Sequence, residues 1–251
     1  MEHTVAMQRA IALGEKGLGK TAPNPIVGAV IIGMDGNVVG EGFHDRVNSP
    51  DHAEVVAIKA AGAKAKGATI VVSLEPCNHS GSTGACVQAI IDAGIETVVY
   101  AVSDPNEKAA GGADALRAAG VSVIEGVLKD EAAYSNRAWL MKIKKSRPFF
   151  TWKVAATLDG KVAAADGTSK WISHETSRSD VQVLRRQADA ILVGTNTVIT
   201  DNPHLIPRGE FAGYAGNPIR VICGEQELPQ ESQVFDSAAQ TVVVKSKDLD
   251  V

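Results

Sequence analysis

Two short stretches carry residues that could do chemistry together. The first, PDHAEVVAI (50–58), sets His52 and Glu54 two positions apart at the start of an apolar, Ala-rich run that reads as a helix. The second, LEPCNHSGSTGAC (74–86), supplies Cys77 behind a proline and Cys86 at the mouth of the next helical run. Taken singly, each residue has an ordinary explanation: a histidine near a helix start is commonly a surface or hydrogen-bonded residue, and an acid in a first turn complements the helix dipole. Taken together, one His and two Cys form the three-protein-ligand set of a catalytic zinc, which leaves a fourth position for water. The helix N-termini expected at these residues favour thiolate over thiol. A non-ligating Glu can take a proton from activated water and pass it to a leaving amine, which is what hydrolytic deamination of a ring requires. A competing reading has His79 join the other three in a closed structural site, but that reading leaves Glu54 without a task.

These residues need rigid elements to hold them. Short β-rich runs at 26–32, 68–74, 96–102 and 121–127 alternate with helical patterns starting near Ala53, Ala85 and Gly112, so the N-terminal part reads as a layered α/β domain with partly parallel strands. MDGN (34–37) predicts a hairpin between the first two strands. One more helical stretch, DEAAYSNRAWLMKIKK (130–145), leads to KKSRP, where Pro148 and the basic cluster suggest a boundary. The chain is therefore expected to form domains 1–146 and 147–251. The second offers strands at 190–194, 219–223 and 241–245, and a helix around ETSRSDVQVLRRQAD (175–189). Cys223, inside IRVIC, is expected to be a buried strand residue.

At 251 residues and 45% hydrophobic content the chain can fill real cores. A net charge of -4 argues against holding nucleic acid through its phosphates. The N-terminus, MEHTVAMQRAIALGEKG, mixes charges into its apolar positions and reads as an amphipathic helix rather than a signal peptide, and no run approaches the roughly 18 to 20 apolar residues of a membrane span. A cytoplasmic location and no membrane partner are expected. Three cysteines do not make a disulfide framework.

The pattern H-x-E followed by P-C and a second Cys resembles that of the zinc-dependent nucleobase deaminases, with a longer spacing between the cysteines. The resemblance narrows with PNPIVGAVI (23–31), GEGFH (40–44), HAE (52–54), the cysteine loop, DPN (104–106) and Asn136. These resemble the deaminase half of the bifunctional riboflavin-biosynthesis family, which joins a diaminohydroxyphosphoribosylaminopyrimidine deaminase to a 5-amino-6-(5-phosphoribosylamino)uracil reductase. RPFFTWKVAATLDGKVA (147–163), SKWIS (169–173), ADAILVGTNTVITDNPHL (188–205) and Arg208 resemble the reductase half. The resemblance implies a cytidine-deaminase-like three-layer α/β domain followed by a partial dihydrofolate-reductase-like α/β domain. It also implies zinc on His52, Cys77 and Cys86, Glu54 as proton shuttle, and Asn24 and His44 in the pocket. The implied substrate is a small phosphorylated diaminopyrimidinone.

In the second half no G-x-G-x-x-G follows a strand, so a Rossmann site is not expected. The resemblance implies instead that Ala155, Trp171, Thr197 and Asp201 meet NADPH and that Ser169, Arg185, Leu205 and Arg208 hold the substrate. Two arginines suit a phosphate. Two departures from the family stand out: HDRVNSPDHAE (44–54) is one residue longer than usual, and Ser82 replaces a positive charge. The resemblance further implies that the reductase domain continues past Val251. On that expectation residues 147–251 are its first half, uncovered along the strands near 191, 221 and 243, able to pair with another copy, and without reductase activity. A deaminase of bases in RNA or DNA is opposed by the acidic balance and 4% aromatic content. A zinc-stabilised binding module without turnover would be separated by activity assays with and without metal.

Overall fold

The computed structural model describes residues 1–78, 85–106, 109–213 and 216–248, and the chain divides into two units, Met1–Phe150 and Thr151–Val251. The division falls just past the basic stretch and Pro148. His79 and Ser82, singled out above, lie outside the described residues.

The first unit runs α1 (His3–Glu15), β1 (Gly28–Ile32), β2 (Val38–Phe43), α2 (Ala53–Ala61), β3 (Thr69–Leu74), α3 (Cys86–Asp92), β4 (Thr97–Val102), α4 (Gly112–Ala118), β5 (Ser122–Glu125), α5 (Lys129–Ser135) and α6 (Arg137–Lys145). Its strands form one sheet in the order β2-β1-β3-β4-β5. The MDGN turn makes β1 and β2 antiparallel, β1 also runs antiparallel to β3, and β3, β4 and β5 are parallel through helical crossovers. Alternate side chains leave opposite faces of a strand. Accordingly Ala29, Ile31, Ile70, Val72 and Val98 pack with residues of α2, α3 and α4. Val30, Ile32, Val71 and Val99 pack instead with Ala6, Met7 and Ala10 of α1 and with Ala132 of α5. The central strands are covered on both sides, which is why they read as unbroken apolar runs.

Two glycines bring the helices close enough to set the site. A Cβ on Gly42 of β2 would lie 2.4 Å from the Ala53 carbonyl oxygen, so only glycine lets the first turn of α2 rest on that strand. A Cβ on Gly112 would lie 1.8 Å from the Pro76 carbonyl oxygen, so the start of α4 presses directly on the segment before Cys77.

The stretch expected as one helix over 130–145 is two. Asn136 breaks it at φ -93°, ψ 13° because its buried side chain serves another chain segment. Its amide donates to the Ile26 carbonyl (2.8 Å), and its oxygen accepts from the Ile26 amide (3.0 Å). A buried backbone pair without a strand partner is thereby satisfied.

The second unit contains α7 (Glu175–Gln187), β6 (Ala190–Gly194), α8 (Thr195–Asp201), β7 (Ile219–Cys223) and β8 (Thr241–Val244), with a parallel sheet in the order β6-β7-β8. Val198, Leu205, Ile222 and Val234 form its small core, flanked by Ile191, Val193 and Leu228. Residues 151–174 form no helix or strand. Cys223 ends β7 half-buried rather than buried, since the strand's last position reaches the sheet rim.

Candidate active site

His52 immediately precedes α2 in extended conformation, and its side chain caps nothing. The ring points instead at sulfur: Nδ1 lies 3.2 Å from Cys86 Sγ and 3.5 Å from Cys77 Sγ. The three donor atoms all lie within 4.8 Å of one another. A tetrahedral zinc with bonds of about 2.0 Å to nitrogen and 2.3 Å to sulfur holds those atoms about 3.5 Å apart, so the donor set fits that metal in both chemistry and spacing. Cys86 is the first residue of α3 and fully buried. Cys77 sits in the preceding irregular segment, where its carbonyl accepts from the Val87 amide (3.2 Å). That bond ties the two cysteine segments together across residues 78–85.

A hydrogen bond from Cys86, with His52 adding to it, pulls Cys77 down to about 4. The same bond, then burial and the nearby Glu54, pushes Cys86 up. Both sulfurs bind a metal as thiolates, so binding releases protons.

Glu54 is the second residue of α2 and is only 3% exposed. Burial raises its carboxyl pKa, and the Cys77 thiolate pushes the same way. Surroundings that favour the protonated form suit this carboxyl to carrying a proton.

His44 directly follows β2, opens the loop that leaves it, and is buried. Its Nδ1–H donates to the Asp51 carbonyl (3.0 Å), which leaves Nε2 to accept from the Asn24 side-chain amide (3.4 Å). The His44 ring meets the His52 ring edge-on at 5.2 Å. Burial above all lowers the His44 pKa, helped by the His52 and Arg46 charges, so the ring is neutral. Asn24, His44 and His52 thus share one cavity of about 300 Å³, whose remaining wall is the loop 46–50.

Sequence reading passed over Glu75. It is 7% exposed, yet both its oxygens are satisfied by backbone: Oε1 accepts from the Ala113 amide (3.0 Å) and Oε2 from the Asp104 amide (3.1 Å). Glu75 therefore clasps the DPN loop and the start of α4 to the segment that carries Cys77. An acid inside the otherwise apolar SLEPC run was the available signal.

In the second unit, the Arg185 Nη1 donates to the Ile206 carbonyl (3.2 Å). Burial, then the Arg208 charge, lowers the Arg185 pKa, which places two cations near one another. The Arg208 amide donates to Gln182 of α7 (3.0 Å). Leu205 is buried in the small core with φ 51°. Thr197 and Asp201 lie on α8. Trp171 is exposed, with Arg178 stacked 4.4 Å from its ring centre. Among the described residues, no hydrogen bond or ring contact joins Ala155, Ser169 or Trp171 to Thr197, Asp201, Arg185 or Arg208. No helix among the described residues is long and apolar enough to cross a membrane.

Comparison with known proteins divides the chain in the same way. Residues 1–102 match the cytidine and deoxycytidylate deaminase zinc-binding region, and residues 148–251 match the RibD C-terminal domain. The riboflavin biosynthesis protein RibD of Mycobacterium tuberculosis (strain H37Rv) is 46% identical over 245 residues, covering 97% of this chain and 72% of that protein. RibD of Aquifex aeolicus is 46% identical, covering 96% of this chain and 68% of that one. A Thermotoga maritima diaminohydroxyphosphoribosylaminopyrimidine deaminase/5-amino-6-(5-phosphoribosylamino)uracil reductase is similar in structure, with TM-score 0.84 and 40% identity over 97% of this chain and 69% of its own. Acinetobacter baumannii RibD gives TM-score 0.86 and 39% identity, at the same coverage.

Proposed function

The chain belongs to the RibD family of riboflavin-biosynthesis proteins, with a zinc-binding deaminase region and a RibD reductase region, and on that premise we propose that its first unit deaminates 2,5-diamino-6-(5-phosphoribosylamino)pyrimidin-4-one in the cytoplasm. The products are 5-amino-6-(5-phosphoribosylamino)uracil and ammonia. The observation that carries this reading is the convergence of His52 Nδ1 and two cysteine sulfurs beside a buried glutamate.

His52, Cys77 and Cys86 would hold the zinc. When bound, zinc supplies the Lewis acidity that brings water towards ionisation near neutral pH. Glu54 takes the proton that water gives up, and its raised pKa lets the carboxyl carry that proton. As oxygen adds to the ring carbon and the C–N bond breaks, Glu54 delivers the proton to the departing nitrogen. Asn24, oriented by the neutral His44, offers an amide to the ring edge. The apolar packing around Cys77, Cys86 and Ala109 limits stray water behind the sulfurs.

For the second unit, the Arg185–Arg208 pair supports a phosphate-binding role, with Leu205 contributing backbone and Ser169 its hydroxyl. Ala155, Trp171, Thr197 and Asp201 are assigned to NADPH, which would reduce the ribosyl group to ribityl. Binding of NADPH, followed by its fluorescence in wild type and in Thr197→Val, tests this assignment.

The deaminase reading is tested with Glu54→Gln. Zinc content should stay stoichiometric, while ammonia release from the diaminopyrimidine substrate falls by at least about 10²-fold to 10⁴-fold. Turnover near the wild-type rate would move the proton transfer to another group.

A further inference from the structure

The cavity beside His52 has walls of two kinds. Asn24, His44 and His52 touch one another and present ring-binding chemistry. The loop 46–50 presents something else. Among the described residues that line the cavity, none is a carboxylate, and Arg46 alone carries a permanent charge. Among the described residues Arg46 makes no ion pair. Its neighbour Asp45 is engaged elsewhere, by Lys20 (3.5 Å) and by the Asn48 side-chain amide (3.0 Å). One Arg46 donor is committed: Nη1 donates to the Ala22 carbonyl (2.8 Å), which anchors the guanidinium two residues from Asn24. A guanidinium held by one nitrogen still offers Nη2 and Nε, a two-donor edge suited to an anionic group.

A cavity with a neutral polar wall and a single uncompensated cation fits a ligand that is neutral and planar in one part and anionic in another. Resting on the deaminase reading above, we infer that Arg46 determines substrate specificity by receiving the 5'-phosphate of the ribosyl substituent while the pyrimidine ring lies against Asn24, His44 and His52. Lys20, 5.6 Å from the centre of the Phe43 ring, pairs with Asp45 on the same loop.

The experiment uses the zinc-loaded chain, the phosphorylated substrate and the same compound without its phosphate. Three variants separate charge from anchoring. Arg46→Ala removes both, Arg46→Gln can keep a donor to the Ala22 carbonyl without charge, and Arg46→Lys keeps charge without the fork. A charge-assisted contact of this kind is worth about 10-fold to 100-fold in affinity. KM for the phosphorylated substrate should rise by that factor in Arg46→Ala and Arg46→Gln and by less in Arg46→Lys, with kcat nearly unchanged. KM for the dephosphorylated compound should not move. Independently of turnover, ribose 5-phosphate should bind wild type and lose that binding in Arg46→Gln, while ribose discriminates neither. Equal KM increases for both compounds would overturn the inference and leave Arg46 as an anchor for the loop. So would wild-type KM in all three variants. A wild type that binds ribose 5-phosphate through Arg46 but deaminates neither compound would overturn the deaminase reading and the role of Arg46 as substrate selector with it.

Discussion

The two units are built from similar strands and treat them differently. GAVII of β1 is buried at every position and TVVYAV of β4 at all but its first, because helices cover both faces of that sheet. AILVG of β6 alternates between exposed and half-buried positions, and TVVV of β8 has no fully buried residue. Leu192 is 56% exposed, and Val242 and Val243 are also open to solvent among the described residues. α7 contributes no fully buried side chain. The consequence shows in the sites. Where a sheet is covered on both sides, the segments leaving its strand ends are pressed into one arrangement, and His52, Cys77 and Cys86 meet there. In the second unit Arg208 is tied to the helix that carries Arg185, and the residues of 151–174 assigned to the same chemistry lie in no helix or strand.

The largest expected effect tests whether the first site is one metal site or only a packed cluster. His52→Ala or Cys77→Ser should reduce zinc from one per chain to none after dialysis, because two ligands do not make a stable site. Acidification should release zinc from wild type as well, since binding requires a neutral His52 and both sulfurs as thiolates. Stoichiometric zinc in both variants, measured by metal analysis, would break the assignment.

Next in size is a paired substitution that compares how tightly each unit holds its backbone. Gly112→Ala sets a methyl 1.8 Å from the Pro76 carbonyl, backbone against backbone, so α4 and the Cys77 segment must separate. Overpacking of this kind costs about 1–3 kcal/mol or more, and here it should also weaken zinc binding. Gly209→Ala in the second unit meets nothing within 4 Å and bears only the strain of φ +64°, about 1–2 kcal/mol. It should leave zinc affinity unchanged. Glu75→Gln loosens the same clasp more gently and should shift zinc affinity in the direction of Gly112→Ala. Chelator competition and denaturant unfolding read both quantities. Equal zinc affinities across the three variants would show that the ligands do not depend on that clasp.

Much of this contrast was legible in the residues. The apolar runs marked the strands to within a few positions, except β2, which only the MDGN hairpin turn implied. HAE and the two cysteines marked the site, because their chemistry is rare at that spacing. What was not legible depended on pairing across distance. Asn136 looks like any helix residue until Ile26 lies beside it. Glu75 looks like a strand-end acid until the Ala113 and Asp104 amides arrive. α8, of seven residues, is short and rich in β-branched side chains, so TNTVITD carries no helical period. The exposure of Leu192 and Val242 followed from the family resemblance and not from composition, which says that a face is apolar and leaves open whether it is covered.

The smallest expected effect concerns the ion pair at the centre of the second unit. Arg220 of β7 is completely buried, and its Nη2 donates to Asp236 Oδ1 (2.8 Å), while Nη1 donates to the Val234 carbonyl (2.8 Å). His204 and the Ala238 amide also bond to the same carboxylate. The Arg220 hydrogen bond first, then Ala238 and His204, holds the Asp236 pKa well below the ordinary carboxylate range. A carboxylate depressed in the folded state adds stability above its unfolded pKa of about 3.9, and loses it as pH falls towards the folded value. Protection of the β7 and β8 amides from hydrogen exchange should therefore decline below about pH 4, ahead of any decline caused by a group with an ordinary pKa in both states. Asp236→Asn removes the titrating group and leaves Arg220 buried without its counter-ion, so it should lower protection at neutral pH. The gap between variant and wild type should close as the wild type is acidified. A gap that stays constant from neutral to acid pH would show that Asp236 acts through its shape and hydrogen bonds and not its charge, and the second unit would then be held, like the first, by packing alone.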